Sequence, residues 1–420
     1  MAITRPRGTN DFLPEVSAKW QALESLLRSM CHEYGFGEIR TPIFEETELF
    51  SRGVGNTTDI VQKEMYTFAD HGDRSMTLRP ENTASACRAY LENKLYGAVQ
   101  PVKLFYIGPM FRYEKPQAGR FRQFHQFGLE IFGSHSPMAD AEIISFAWDL
   151  YNNRLGIKDL HLRLNSVGCP TCRAKYRTAL QDYFRNSLDT LCESCRDRFD
   201  RNPMRILDCK SEICQKIGVD APQIYDYLCD DCSTHFDKVK SLLKAADIPF
   251  DLDPHMVRGL DYYTKTAFEI EVSRIGAQSA VCGGGRYDGL IEEIGGDPTP
   301  GVGFALGMER VFSALAAQGD DIENESTLDV YTIVAGGDKA AAAAFRLSTQ
   351  LRQIGCSCEM DYADKSMKAQ MKAANRLHAN YAIIIGDNEV EQSCATIKNM
   401  QDGEQVSVPF QDIKQYFLER

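Results

Sequence analysis

Apolar side chains recur at Trp20, Leu23, Leu26, Leu27, Met30, Cys31 and Tyr34. That 3.6-residue period predicts an amphipathic helix over Ser17–Tyr34, and Gly35 stands where a glycine closes such helices. The following GFGEIRTPIFEET reads as strand, ended by Pro42. A second long helix is expected from Met138 to Tyr151, opened by Ser136-Pro137. Strand-like runs surround it: VKLFYIG before, HLRLNSVG after. In TAFEIEVS, Phe268, Ile270 and Val272 alternate with Glu269 and Glu271, as in a half-buried strand. Strands dominate around the glycine-rich sequences, so the first large domain is expected to be α+β with an antiparallel sheet.

The pattern changes near Cys169. From there to about Asp251 the chain is rich in Lys, Arg, Asp and Cys at helical spacing, which predicts an inserted, mainly helical module. A polar, acidic linker, Gln318 to Thr327, precedes a tail that alternates strand and helix, with helices over Lys339–Leu351 and Ser366–His378 and a turn at Asp402-Gly403. That alternation predicts a small separate α/β domain. The expected division is 1–168 with 252–320, then 169–251 as the insertion, then 328–420.

Composition narrows the function classes. The 420 residues exceed a single core. Net charge is −12, which argues against a protein that coats nucleic acid by bulk charge but leaves room for local basic patches. No apolar run approaches the ~20 residues of a membrane helix, so no membrane partner is expected. Met1 to Phe12 carries no apolar signal core, so the chain is expected to stay in the cytoplasm.

Three sequences carry candidate chemistry. In FRYE, Phe111 to Glu114, an arginine and a glutamate two apart on a strand share one face and can hold a phosphate. An exposed ion pair of little consequence is the plainer reading of that pair alone. In GVGFALGMER, Gly301 to Arg310, small residues let the backbone pass close to a ligand or another strand, and a helix then begins at Glu309-Arg310. Neither this sequence nor GGGRYDG has phosphate-loop or dinucleotide spacing. HMVRGLDYYT, His255 to Thr264, sets an arginine, an aspartate and two tyrosines beside a strand, which a buried tyrosine pair would also explain.

Together these sequences resemble the class II aminoacyl-tRNA synthetases. FRYE with its basic-aromatic loop resembles their motif 2, GVGFALGMER motif 3, and GFGEIRTPIF motif 1, whose proline lies at a dimer interface. RGLDYYT and GGGRYDGL are similar to two segments peculiar to the histidyl-tRNA synthetases, and TLRPENTAS, Thr77 to Ser85, matches the same family. Ala305 departs from the general motif 3 by replacing its middle glycine.

The resemblance implies a class II catalytic domain, an anticodon-binding tail and a homodimer. It also implies ATP with Mg²⁺, histidine and tRNA as ligands. By the same resemblance Arg112 meets the α-phosphate, Glu114 reads adenine, Phe124 stacks on it and Arg310 meets the γ-phosphate. Glu81 and Thr83 take the α-ammonium of histidine, Gln126 its polar end, and Glu130 and Tyr263 its imidazole. Tyr262 lines the same pocket. Arg258 approaches both the substrate carboxylate and the α-phosphate, which makes it, with Arg112, the expected catalytic pair. Three alternatives are weighed against this: a non-catalytic regulatory paralogue, a class II synthetase for another amino acid, and a tRNA-binding module without chemistry, which the intact phosphate-binding set opposes. Retention of Arg112, Arg258 and Arg310 opposes the first, and RGLDYY opposes the second.

The insertion adds CPTC at Cys169–Cys172, CESC at Cys192–Cys195, CDDC at Cys229–Cys232, and Cys209 and Cys214 between. Paired C-x-x-C hooks are the sequence form of structural zinc sites, and eight thiols would fill two. The resemblance pulls the other way, since the family does not generally require zinc, and free thiols are the competing reading. If zinc is held, Cys192, Cys195, Cys229 and Cys232 are the first quartet expected.

Overall fold

The computed structural model describes residues 2–55, 58, 60–115, 119–275, 279–322 and 328–419. Part of the basic loop after FRYE (116–118) and of the expected linker (323–327) falls outside them. The chain divides into two compact units, Met1–Glu323 and Asn324–Arg420.

In the first unit the strands are β1 (Gly37–Glu38), β2 (Phe44–Glu46), β3 (Tyr66–Ala69), β4 (Ser75–Leu78), β5 (Val102–Phe111) and β6 (Gln123–Phe132). They continue as β7 (Leu160–Ser166), β8 (Asp251–Leu252), β9 (Thr264–Val272), β10 (Ala280–Arg286) and β11 (Gly301–Gly307). Eight form one sheet in the order β1-β5-β6-β11-β10-β9-β7-β8, and β2-β4-β3 form a second. The six central strands of the large sheet run antiparallel, with parallel pairings only at its edges, β1 with β5 and β7 with β8.

The two-residue side-chain period decides what each face of that sheet is for. Phe127, Leu129 and Ile131 of β6, Phe268, Ile270 and Val272 of β9, and Val302, Phe304 and Leu306 of β11 join one buried core. That core includes Trp20, Leu23, Leu27 and Met30 of the first helix and Ile143, Ile144 and Ala147 of the helix Pro137–Trp148. The alternate positions, Phe124, Gln126 and Glu130 on β6, Glu269 on β9, and Gly303, Ala305 and Gly307 on β11, face the other way. That core covers one side of the sheet; on the other side a second core around Phe132 and Ala267 packs against the helices Thr83–Glu92 and Pro170–Arg185, beside the polar and small residues that are left for ligands.

The first helix spans Pro14–Glu33, and Gly35 takes φ +73° just beyond it. The second spans Pro137–Trp148, where the Ser136 hydroxyl accepts from the Met138 N–H at 3.2 Å. The strand expected to end at Pro42 is the short β1, and beyond the proline the chain resumes as β2 in a different sheet. Pro42 breaks the run, and Arg79 fastens the break. Its guanidinium donates to the carbonyls of Thr41 (3.1 Å), Pro42 (3.3 Å) and Pro109 (2.9 Å). One buried cation thus ties the motif 1 segment to the strand that leads into Arg112.

Helices fill the insertion: Pro170–Arg185, Glu193–Arg201, Met204–Leu207, Glu212–Gly218 and Asp230–Ala245. In the second unit β12 (Val330–Val334), β13 (Cys358–Met360), β14 (Tyr381–Ile385), β15 (Cys394–Asn399) and β16 (Gln405–Pro409) form a sheet in the order β13-β12-β14-β15-β16. Val330, Ile383 and Ile385 bury against Ala344, Leu347 and Leu351 of the helix Asp338–Arg352. Tyr331, Ile333 and Ile384 bury in a separate core with Ala374 of the helix Met367–Arg376. No helix among the described residues is long and apolar enough to cross a membrane.

Candidate active site

A cavity of about 310 Å³ opens on the polar side of the large sheet. Its walls bring together Glu81, Thr83, Arg112, Glu114, Phe124, Gln126, Arg258, Tyr262, Tyr263 and Arg310 from five separate stretches of sequence. Glu130, expected among them, does not line it. It lies beneath Thr83, Tyr287 and Gly303, which do, and is 1% exposed.

Arg112 and Glu114 sit just past the end of β5 rather than on a strand, so the shared-face argument does not apply to them. The backbone still delivers both to the cavity. Arg112 is fixed by its Nε donating to the Pro80 carbonyl at 2.8 Å, and its guanidinium lies 5.1 Å from the centroid of the Phe124 ring. Glu114 sits 3.1 Å from Arg120 Nη1, so a fourth cation joins the wall. Arg310, in the first turn of the helix Met308–Gln318, donates to the Ala280 carbonyl at 2.5 Å. Burial, and then the like charge of Arg120, pull the Arg310 guanidinium below its usual pKa. Like charges packed together are what a polyanion would relieve.

Arg258 is ion-paired with Glu269 of β9, and its guanidinium carbon lies 5.8 Å from the centroid of the Tyr263 ring. It fits only because position 283 is glycine: a Cβ there would run into the guanidinium. Its Nε is buried with no hydrogen-bond partner among the described residues. The Gln126 Oε1 acceptor is likewise unpartnered. Unmet polar atoms in a cavity wall are expensive unless a ligand meets them.

Glu81 accepts the N–H groups of Thr83 (2.7 Å) and Ala84 (3.0 Å) at the start of the helix Thr83–Glu92, and burial raises its pKa. Glu130 Oε1 accepts from the Thr83 hydroxyl at 2.8 Å and the Tyr106 hydroxyl at 3.3 Å, while Oε2 accepts from Tyr287. Despite three donors, burial pushes its pKa up to about 8. A Cβ at Gly303 would collide with the same carboxylate, so this motif 3 glycine makes room for Glu130.

A model of the histidyl-tRNA synthetases matches residues 8–183 and 220–311, and a model of an anticodon-binding domain matches 329–420. Histidine–tRNA ligase of Pelotomaculum thermopropionicum is 57% identical across all of this chain and 98% of its own length. The chain belongs to the histidyl-tRNA synthetase family. Its activity is that of a histidine–tRNA ligase. The same enzyme of Desulfitobacterium hafniense is 55% identical over the whole chain and 99% of its own. The crystal structure of apo histidyl-tRNA synthetase from S. aureus superposes with a TM-score of 0.84 at 40% identity, covering 99% of this chain and all of that one. The histidyl-tRNA synthetase model leaves 184–219 unmatched, a segment wholly inside the helical insertion.

Sequence reasoning missed Glu269, Tyr287 and Arg120. The alternation in TAFEIEVS already sets Glu269 opposite the core face. Tyr287 lies in GGGRYDG, whose first three glycines are within β10. Nothing in the sequence alone pairs Arg258 with Glu269. The zinc quartet named from the sequence is corrected. Cys192 and Cys195 converge with Cys209 and Cys214, whereas Cys229 and Cys232 converge with Cys169 and Cys172. Spacing along the chain cannot tell which hooks meet when helices of unequal length intervene.

Proposed function

We propose that this cavity is where histidine and ATP react, and that the second unit reads the tRNA anticodon. The carrying observation is that Arg112, Arg258 and Arg310 line one cavity together with Glu81, Thr83, Gln126, Tyr262 and Tyr263. Three guanidinium groups suit a triphosphate, and Arg258 has an Nε donor to spare for a carboxylate. The histidine carboxylate oxygen bonds to the α-phosphorus of ATP while the bond to pyrophosphate breaks. The terminal hydroxyl of tRNA then attacks the adenylate carbonyl, and AMP leaves. The protein need only position these groups and neutralise their charge. Arg112 and Arg258 hold the α-phosphate, Arg310 the γ-phosphate, Phe124 and Glu114 the adenine. Glu81, Thr83 and Gln126 take the α-ammonium and polar end of histidine, and Tyr262, Tyr263 and Glu130 shape the imidazole pocket.

Mg²⁺ fits this site. Carboxylates on the wall such as Glu269 are the hard oxygen donors it takes, and bound with ATP it would offset the triphosphate charge. The catalytic domain comprises 1–168 and 252–320, the insertion 169–251 and the anticodon reader 328–420. The place of action is the cytoplasm. A chain ending near Gln318 should keep pyrophosphate exchange and lose most tRNA charging, through weaker tRNA binding. Equal charging by the shortened and full chains would remove the tail from tRNA recognition.

The working unit is a homodimer. Ile43, Phe44 and Phe68 are 44%, 52% and 45% exposed on and beside the small sheet, and the two phenylalanine rings are 6.3 Å apart. Exposed apolar clusters of this kind mark interfaces, and this one adjoins Pro42 of motif 1. Sedimentation should give twice the 47.2 kDa chain mass, and a monomer at micromolar concentration contradicts the dimer.

A further inference from the structure

The insertion holds eight cysteines that the chemistry above does not use. The Sγ atoms of Cys169, Cys172, Cys229 and Cys232 lie within 4.8 Å of one another, and so do those of Cys192, Cys195, Cys209 and Cys214. All eight are free thiols. Within the first quartet Cys169 stands 3.5 Å from Cys172 and 3.9 Å from Cys229; within the second, Cys192 stands 3.7 Å from Cys209. A disulfide would need about 2.05 Å. Four thiolates around one zinc ion, each at about 2.3 Å in a tetrahedron, stand about 3.8 Å apart. Ordinary buried cysteines would explain the burial but not two fourfold convergences at that spacing.

The surroundings suit thiolates as well. Cys169, Cys192 and Cys229 are each the N-cap residue of a helix, at Pro170–Arg185, Glu193–Arg201 and Asp230–Ala245. Their hook partners Cys172, Cys195 and Cys232 fall in the first turn, so each hook straddles a positive helix end. Backbone N–H groups donate to sulfur at Cys172 (from Cys229, 3.1 Å), Cys214 (from Cys192, 3.3 Å) and Cys209 (from Ser211, 3.4 Å).

We propose that the insertion binds two structural zinc ions, one on Cys169, Cys172, Cys229 and Cys232 and one on Cys192, Cys195, Cys209 and Cys214. The first closes the base of the insertion. Its ligands come from the chain just leaving β7 and from the start of the helix that leads back toward β8. Beside it the Lys265 N–H donates to the Gly168 carbonyl at 3.0 Å, and the Val167 N–H to the Lys265 carbonyl at 2.7 Å. Lys265 follows directly on Tyr262-Tyr263-Thr264, so the first ion braces the segment that forms the histidine pocket. The second ion holds together three short helices, the longest of nine residues. Neither ion takes part in the reaction, and the proposal stands independently of the cavity's assignment.

The test is metal content of the full-length protein, grown with zinc and dialysed into metal-free buffer, by plasma mass spectrometry. About two zinc ions per chain are expected. Cobalt loaded in place of zinc should give the visible absorption of a tetrahedral tetrathiolate. The pair Cys169→Ser with Cys229→Ser should lower zinc to about one per chain, and so should Cys192→Ser with Cys209→Ser. One zinc or fewer in the wild type overturns the proposal, as does iron in its place, or two zinc ions that survive both pairs of substitutions. Should either variant fail to fold, the wild-type zinc content and cobalt spectrum decide by themselves.

Discussion

Arg258→Ala should lower the rate of histidine activation about 10²–10³-fold, the usual cost of one preorganised donor aimed at developing charge. The KM for ATP should stay within a few-fold. The guanidinium is buried in the cavity wall, braced by Glu269 and seated against Gly283, and its Nε has no partner among the described residues. Glu269 and the two neighbouring tyrosines outweigh the burial that works against its charge, and its pKa is raised. The group is therefore charged throughout the working pH range. On the proposed assignment it faces histidine and ATP separately in the ground state. In the transition state the carboxylate and the α-phosphate share their charge at one point, and only there is its attraction complete. An interaction made chiefly in the transition state lowers kcat rather than raising KM. A kcat within threefold of wild type, read by pyrophosphate exchange, would take Arg258 out of the reaction.

Glu130→Gln should raise the KM for histidine by no more than about tenfold and leave that for ATP unchanged, because Glu130 reaches the cavity only through the hydroxyls of Thr83 and Tyr287, hydrogen bonds worth ~0.5–1.5 kcal/mol each. The stability of the wild type relative to this variant should also depend on pH. In the folded protein the Glu130 carboxyl keeps its proton up to about pH 8, whereas an unfolded one loses it near 4.5. Between those values the folded state binds more protons than the unfolded state, so raising the pH favours unfolding across that window. The cost is absent below about 4.5 and complete above about 8. Glutamine mimics the protonated form and removes the titration. Wild type and variant should have similar stability near pH 5, and the variant should be the more stable at pH 8.5. Thermal melts across that range measure this, and a wild-type curve that rises through the window would contradict it. An unchanged histidine KM would confine Glu130 to the fold, as its place beneath the cavity floor alone would suggest.

Much of this site was legible because it is built on strands. The period of two in TAFEIEVS separates Glu269 from Phe268 and Ile270. The same period in GVGFALG puts Gly303, Ala305 and Gly307 opposite Val302, Phe304 and Leu306. What could not be read is anything set by approach between distant segments. Arg79 was quoted only as part of TLRPENTAS, yet it binds three carbonyls from two other segments. Glu130 was taken to touch the ligand, but Thr83, Tyr106 and Tyr287, brought from three other segments, cover it with hydroxyls. The stop at Pro42 was legible in GFGEIRTPIF, but the switch to a second sheet beyond it and the carbonyls that Arg79 holds there were not. The cysteine hooks make the same point, since their identity was plain and their partners were not.

The central claim is that the cavity lined by Arg112, Arg258 and Arg310 activates histidine with ATP. The most direct measurement is amino-acid-dependent exchange of labelled pyrophosphate into ATP, run on the full-length chain with Mg²⁺ and each amino acid in turn. Exchange is expected with histidine and with no other amino acid, without any need for tRNA. Exchange with threonine or proline and none with histidine would contradict it.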